Sequence, residues 1–543
     1  MKKTLLLLTL AAALSLLSGA PAPAQEPAYG GVLRWHEVAN PPKLDPHMPT
    51  DTTSSRVSYV LFDNLVVNSL DGQKMEPWLA ESWTVSDDGK VWTFKLRPGV
   101  HFHAETEGGK KTANGGREIT AEDWKWSFER MVRDNSPRAY FIDCIAGYQE
   151  LADKKAEEWS GLKVIDKYTL EVTLKEPFAP FLSVLGYNSF VVVPKEDVEK
   201  WGKEFNFHPV GSGPFVFEEW KQDQKVVTKR NPNYWRKDEK GRQLPYLDGW
   251  ELIVIPDGTV AWEEFKAGNI DMFRDIPERL VPEGRTLLGE SFLEGPQPGT
   301  YYYGFNNDAK PFKDNLKLRQ AVNHAVNREM INELVMEGLY YPAKGILPPS
   351  MPGYNPNLRG YEFNPEKAKQ LMKEAGYENG FETTLQVNQN VLHAAVAEAI
   401  QAQVADLGIK MNIRIVDWGV HLDNLAKGEY EMYRMGWVVD YLDPDNFLYV
   451  NLHSSNIGEQ GNYARYKNEE ADKLMAEARL QTDPAKRVEL YQKAEQIIVD
   501  DAPWLFLFHY YNNLATQKWT HGGTLPAFGN YTARMDTVWM DKK

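Results

Sequence analysis

Between residues 381 and 439 the chain alternates with unusual regularity. Runs 381–387, 409–416 and 432–439 are short, apolar and strand-like. Between them, 393–407 has helical spacing and stops at Gly408, and 420–425 reads as a shorter helix. A βαβαβ order requires parallel strands. Right-handed crossovers then bring the C-terminal ends of all three strands to one rim. Open α/β sheets hold ligands at such a rim. Asn388, Trp418 and Asp440 each follow one of the runs, so the spacing predicts that they share it.

The third run carries the most chemistry. It contains Arg434, Gly436 and Trp437 and leads directly into Asp440. One cation and one anion, set apart on a rigid edge, could read a ligand that carries a carboxylate at one end and an ammonium at the other. Plainer readings stand beside this one. Asp440 could be a helix cap or a surface carboxylate, Arg434 a solvated or ion-paired residue, and Trp437 and Trp418 core side chains.

Elsewhere, Val32 to Trp35 reads as a strand, followed by a loop at Asn40-Pro41-Pro42-Lys43. Ser86-Asp87-Asp88-Gly89 between two β-rich runs predicts a hairpin. The Gly-, Lys- and Glu-rich stretch 104–118 predicts an exposed loop. Thr120 with Asp123 predicts a capping box on a helix that buries Trp124, Phe128 and Met131. Residues 161–175 and 189–194 are strand-like, and Gly211-Ser212-Gly213-Pro214-Phe215 reads as a turn before a strand-rich region. Residues 315–335 read as one long helix. Asn364-Pro365 starts another helix, which Gly376 ends, and Asp483-Pro484 starts the last.

The first residues predict export. Lys2 and Lys3 precede an apolar stretch from Leu5 to Leu17, then small residues and an Ala22-Pro23-Ala24 cleavage site. The stretch is short for a membrane span, so the expectation is a mature chain beginning near Gln25. The only cysteine, Cys144, is far from that site, so no lipid anchor and no internal disulfide are expected, and Cys144 reads as a small buried hydrophobe. The length of 543 residues suggests about three or four structural units. A net charge of −15 argues against nucleic acid and anionic membrane surfaces as partners. Aromatics are plentiful, with 17 Trp and 26 Tyr; many are expected in the core, and such rings also line wet pockets.

Catalytic motifs are missing from the sequence. Gly211-Ser212-Gly213 lacks the spacing of a nucleophile elbow. There is no H-E-x-x-H, phosphate loop or dinucleotide fingerprint. His101 and His103 could begin a metal site but have no third ligand nearby in sequence. Asp440, Asp443 and Asp445 do not follow the calcium-loop pattern, and Pro444 makes a capped turn the better reading. No enzyme activity, metal or cofactor is expected.

Several segments carry a family resemblance. They are Leu44-Asp45-Pro46-His47, Leu79-Ala80-Glu81-Ser82-Trp83, Trp92-Thr93-Phe94-Lys95-Leu96-Arg97, Thr120-Ala121-Glu122-Asp123 and Gly211-Ser212-Gly213-Pro214-Phe215. Arg230-Asn231-Pro232-Asn233-Tyr234-Trp235, Arg319-Gln320-Ala321-Val322 and Asp440-Tyr441-Leu442-Asp443-Pro444 complete the series. In this order they resemble the periplasmic oligopeptide- and dipeptide-binding proteins of bacterial ABC importers, a family that includes nickel-binding members.

The resemblance implies an α/β fold of the two-lobe periplasmic binding protein type, type II, in the large cluster with an extra domain. Ligand is then enclosed between the lobes. It implies lobe I at 25–70, 206–300 and 509–543, the extra domain at 71–205 and lobe II at 301–508, after a signal peptide at 1–24. The family's ammonium-binding aspartate falls on Asp440, and Arg434 matches an arginine that meets the peptide carboxylate. Trp437, with Gly436 beside it, and Trp418 match pocket positions. Glu37, Ala39 and Asn40 match an extended strand that pairs with the peptide backbone. Dipeptide-specific relatives carry a carboxylate-binding arginine near 388–392, where this chain reads Asn388-Gln389-Asn390-Val391-Leu392, which argues against a dipeptide. The implied function is capture of oligopeptides in the periplasm and delivery to a membrane permease, by a monomer. Another solute on the same fold, such as an oligosaccharide or a nickel chelate, is the alternative, and an exported hydrolase is a poorer one.

Overall fold

The computed structural model describes residues 26–541, apart from 50, 73, 459–460 and 527–533. The expected leader, 1–24, lies outside the described residues. Strand β1 (Val32–Glu37) opens the fold and is followed by helix α1 (Thr52–Leu61). Asp51 caps α1 by accepting the Ser54 N–H at 2.8 Å.

The chain then forms a separate antiparallel sheet from β2 (Ala80–Val85), β3 (Val91–Leu96), β4 (Leu162–Asp166) and β5 (Thr169–Thr173), in the order β2-β3-β5-β4. The β2–β3 turn is the expected hairpin. Helix α2 (Ala121–Arg133) packs on this sheet, and Asp123 accepts the Thr120 N–H at 2.8 Å to close the capping box. Trp124, Phe128 and Met131 are fully buried with Phe94, Leu170 and Val172. The period-3.6 face of the helix meets the inner face of the sheet, which is the usual way two amphipathic elements hide their apolar sides.

The chain returns to the first sheet with β6 (Phe215–Lys221), β7 (Lys225–Arg230), β8 (Gly249–Val254) and β9 (Met272–Arg274). β8 lies parallel to β1 in register, and Trp35 of β1 is partnered by Met272 of β9. Strand β10 (Phe292–Phe305) then crosses into the second half. There follow α3 (Leu316–Ala325), α4 (Arg328–Val335), α5 (Pro365–Glu374), β11 (Glu382–Asn388), α6 (Val391–Val404), β12 (Lys410–Val416), α7 (Trp418–Lys427) and β13 (Met432–Val438). Helices α8 (Pro444–Leu452) and α9 (Pro484–Asp501) and strand β14 (Trp504–Thr516) complete it. β11 runs parallel to both β12 and β13. The βαβαβ alternation therefore folds as its spacing predicts, with Gly408 at φ +75° ending the helical turn after α6.

Two lobes result, joined through β10 and β14. The strands follow the order β6-β7-β8-β1-β9-β14-β10-β13-β11-β12. The β10–β14 ladder breaks midway: Pro296 is partnered by Tyr511, and the next pair is Thr300 with His509. On one side of the break β14 pairs with β9, and on the other β10 pairs with β13. Pro296 and Pro298 have no N–H to give, so the ladder is weakest where the lobes meet.

Three expectations change. The long helix at 315–335 is two helices. Val326 is extended, and Asn327 caps α4 by accepting the Met330 N–H at 2.9 Å. A mid-helix Asn offers its own backbone this alternative. Residues 189–194 form a single bridge, Val191 to Asn64, and no longer strand. Side chains take their backbone groups instead: Ser127 Oγ accepts the Val193 N–H at 3.1 Å, and His47 bonds the Val191 carbonyl at 3.1 Å. The stretch 104–118 is not simply an exposed loop. Thr106, Thr112 and Asn114 are buried, and the Asp197 carboxylate accepts the N–H groups of Ala113 and Asn114.

Candidate ligand-binding site

Strand β13 lies beside β10 with Arg434 opposite Tyr303 and Gly436 opposite Tyr301. Arg434 is only 7% exposed. Its guanidinium lies 4.4 Å from the Tyr301 ring centre and donates to the Tyr510 hydroxyl at 3.2 Å and to Asn388 Oδ1 at 3.5 Å. Its Nε is buried without a partner. Among the described residues no carboxylate lies within 4 Å of it. The neighbouring bases do not compete for an anion. Burial, with the Arg434 charge, pushes His393 down to about 3, and burial pushes His421 down to about 4. Both are neutral at pH 7. Tyr301 hydroxyl meets His393 Nδ1 at 3.0 Å, and His421 Nε2 meets the Arg434 carbonyl at 2.9 Å, so the surroundings are held in place.

Gly436 is required by shape. A Cβ there would collide with the Tyr510 hydroxyl, the same group that Arg434 contacts. Trp437 is half-buried, and its Nε1 donates to Asn446 Oδ1 at 3.0 Å. That oxygen also accepts the Asp440 N–H at 2.9 Å. Trp418 opens α7 at the rim, 45% exposed, its ring stacked at 5.7 Å on His421.

Asp440 is 8% exposed and lies just past the end of β13. Its carboxylate is raised by desolvation, and Arg138, Asn446 and Tyr187 pull it back down. Arg138 Nη2 is 3.3 Å from Asp440 Oδ1. The turn that aims Asp440 is held by the residues that follow it. Asp443 caps α8 and pairs with Arg487, while Asp445 pairs with Arg479 at 3.0 Å and accepts from the Tyr441 and Tyr491 hydroxyls. Asp443 and Asp445 thus serve as caps and ion partners, as the Pro444 turn suggested.

Arg434 and Gly436 thus meet at the Tyr510 hydroxyl, Trp437 and Asp440 share Asn446, and Trp418 is joined to Arg434 through His421; among the described residues no hydrogen bond links the first pair to the second. Glu37, Ala39 and Asn40 stand apart from them, at the end of β1. The Glu37 carboxylate is taken by Arg56, by Trp35 Nε1 at 3.0 Å, by Thr53 at 3.3 Å and by Arg274 at 3.7 Å. β1 ends at Glu37, the exposed Ala39 lies in a bend, and Asn40 Oδ1 accepts from Trp220 Nε1 at 2.9 Å and from the Asp223 N–H at 3.1 Å. No described hydrogen bond links this segment to the Arg434–Asp440 cluster. Sequence reasoning missed Arg138, Tyr187, Asn446, Tyr510, His393 and His421. Only their residue types could have signalled them, because they come from four distant parts of the chain. His101 and His103 bond backbone carbonyls of Gly116 and Gly213. Among the described residues no group of three His, Cys, Asp or Glu is arranged to hold a metal ion.

A sheet-bridged pair of α/β lobes thus carries a buried cation on β13, Arg434, and a buried anion just past its end, Asp440. The family model for bacterial extracellular solute-binding proteins, family 5, matches residues 74–459. Heme-binding protein A of Haemophilus influenzae is 36% identical over 84% of this chain and 83% of its own length. The oligopeptide-binding protein OppA of Escherichia coli is 32% identical over 91% of this chain and 90% of its own. Among solved structures, the periplasmic binding protein DppA of Helicobacter pylori, in complex with the peptide STSA, superposes with a TM-score of 0.79 at 31% identity, covering 95% of this chain and 99% of that one. This chain belongs to the family 5 bacterial extracellular solute-binding proteins.

Proposed function

We infer that this protein captures short peptides outside the cytoplasm and delivers them to the membrane permease of an ABC importer. The observation that carries the reading is Arg434, a buried guanidinium with no carboxylate partner among the described residues. A charge kept dry and unpaired is costly unless a ligand completes it. The peptide's carboxylate sits on Arg434 and its ammonium on Asp440. Six residues separate the two along an extended chain, a reach of at most about 20 Å. A peptide of up to about six residues spans that distance. The name of the Helicobacter pylori relative, solved with a tetrapeptide, is in keeping with this size.

The division expected from the resemblance is retained as part of the proposal: lobe I at 25–70, 206–300 and 509–543, the extra domain at 71–205 and lobe II at 301–508. The ladder break between Pro296 and Thr300, opposite His509 to Tyr511, supports a hinge there. Export through the leader at 1–24, a lipid-free mature chain beginning near Gln25, a periplasmic setting and a monomeric state belong to the same proposal. An oligosaccharide is the second reading, favoured by the exposed face of Trp418 at the rim. Calorimetry with tetra-alanine, its N-acetyl form and its C-terminal amide tests the reading. Both blocked forms bind more weakly if it holds. Equal binding of all three contradicts it.

A further inference from the structure

The unit inserted at 71–205 is joined to lobe I by buried polar bonds. Asn64 of lobe I donates its amide to the carbonyls of Tyr187 at 2.8 Å and Phe190 at 3.1 Å. Arg130 of the unit holds Asp45 of lobe I, with Nη1 at 3.0 Å. Asn64, Asp45 and Arg130 are all buried. Parting them would strand a carboxylate, a guanidinium and an amide in the interior, so the unit is held to lobe I.

Its contact with lobe II has a different character. Tyr441, the residue after Asp440, packs into the core of the inserted unit, its ring 5.4 Å from that of Phe141 and nearly perpendicular to it. Ala179 N–H donates to the Arg479 carbonyl at 2.9 Å, and the Arg479 guanidinium lies 4.7 Å from the Phe178 ring centre. On the lobe II side one buried carboxylate holds both residues. Asp445 accepts from the Tyr441 hydroxyl at 2.6 Å and lies 3.0 Å from Arg479 Nε. Two cavities flank the contact, each walled by both units. One of about 330 Å³ lies beside Cys144, Lys175 and Leu480, and one of about 270 Å³ beside Tyr140, Val184 and Asn456. The two surfaces therefore touch at a few points with open space between them.

Tyr441 and Arg479 can leave the inserted unit without stranding a charge. Arg479 keeps Asp445, the Tyr441 hydroxyl keeps its bond, and the Ala179 amide passes to water. We propose that this contact is a latch, made as the cleft shuts and broken as it opens. Tyr441 and Arg479 seat on Phe141, Phe178 and Ala179 only in the closed form, so the latch sets how often the protein is shut. Phe178 and Ala179 belong to neither the Arg434 nor the Asp440 contacts. They therefore scale the affinity of every ligand by one common factor, because the closed fraction enters each dissociation constant alike. The proposal rests on the hinge in the reading above and adds a closing contact outside the cleft.

The test is hydrogen exchange at the Ala179 amide of the full-length protein, empty and saturated with tetra-alanine, with calorimetry alongside. In the empty wild type Ala179 exchanges much faster than the amides of β5 in the same unit, because opening the cleft frees it. Bound tetra-alanine slows Ala179 at least about tenfold and leaves β5 unchanged. Phe178→Leu keeps an apolar side chain but removes the ring beside Arg479. It weakens tetra-alanine and its C-terminal amide by the same factor, about three- to tenfold, and quickens Ala179 exchange. The β5 amides report whether that variant is folded, and the wild-type comparison stands without it. Ala179 exchanging as slowly as β5 in the empty protein means a fixed contact and overturns the inference. Tetra-alanine that binds without slowing Ala179 overturns it too, as does a folded Phe178→Leu with unchanged affinity or a loss for one peptide alone. If tetra-alanine does not bind, the peptide reading falls, and the empty-protein comparison of Ala179 with β5 decides the latch by itself.

Discussion

Replacing Arg434 by methionine removes a buried positive charge that has no counter-ion among the described residues. Keeping such an ion in the interior costs several kcal/mol. Offsetting it are the bonds to Tyr510 at 3.2 Å and Asn388 at 3.5 Å, about 1 kcal/mol each, and the Tyr301 face at 4.4 Å, about 2 kcal/mol when desolvated. The terms nearly cancel, so Arg434→Met leaves the stability of the empty protein within about 1 kcal/mol of wild type. Arg130→Met is the contrast. Arg130 holds the buried Asp45, with Nη1 at 3.0 Å, and stranding that carboxylate costs about 3–5 kcal/mol. Binding moves the other way. Arg434→Met loses a charge-assisted contact of roughly 1.5–3 kcal/mol, at least tenfold in affinity for a free-acid peptide, and much less for its amide. Denaturant melts of both variants and calorimetry with the acid and amide peptides make the measurement. If Arg434→Met unfolds as readily as Arg130→Met and binds both peptides normally, Arg434 is a structural residue and the reasoning is wrong.

Asp440→Asn weakens binding of a free peptide, and N-acetylating the peptide weakens wild type similarly. The two losses do not add when calorimetry covers all four combinations, because they remove one interaction. The same variant lowers the unfolding temperature of the empty protein, because it strips Arg138 of its counter-ion at 3.3 Å. Gly436→Ala drives the Tyr510 hydroxyl away from Arg434 and weakens binding, and adding Tyr510→Phe restores the thermal midpoint without restoring affinity. His421 has its pKa pushed down to about 4 by burial, against an unfolded value of about 6.5. Its stabilising contribution is therefore complete above about pH 6.5 and is lost as pH falls towards 4, by roughly 3 kcal/mol in all. Unfolding free energies measured from pH 7 to pH 4.5 fall less steeply in His421→Gln than in wild type.

The parts of the fold that repeat were legible. The alternation from 381 to 439, the caps at Thr120, Asn364 and Asp483, and the hairpin at 86–89 are local patterns, and local physics decides them. Arg434 could be placed on a strand and Asp440 just past its end because both depend on that strand alone. Their burial and their partners could not. Arg138 and Tyr187 come from the inserted unit, and Tyr510 follows the last helix, so only the folded chain joins them. The split at Asn327 was hidden because a capping residue looks like any polar residue on a helical face. Glu37 looked available at a strand end, yet Arg56 and Arg274 converge on it from elsewhere. The 189–194 run had β-rich composition, but side chains from His47 and Ser127 claimed its backbone first.

The most direct test of peptide capture is to purify the protein from its native compartment without refolding, denature it, and identify the released small molecules by mass spectrometry. The account predicts short peptides of up to about six residues, each with a free amine and a free carboxylate. Recovery of a sugar, or of peptides blocked at both ends, in stoichiometric amount contradicts it.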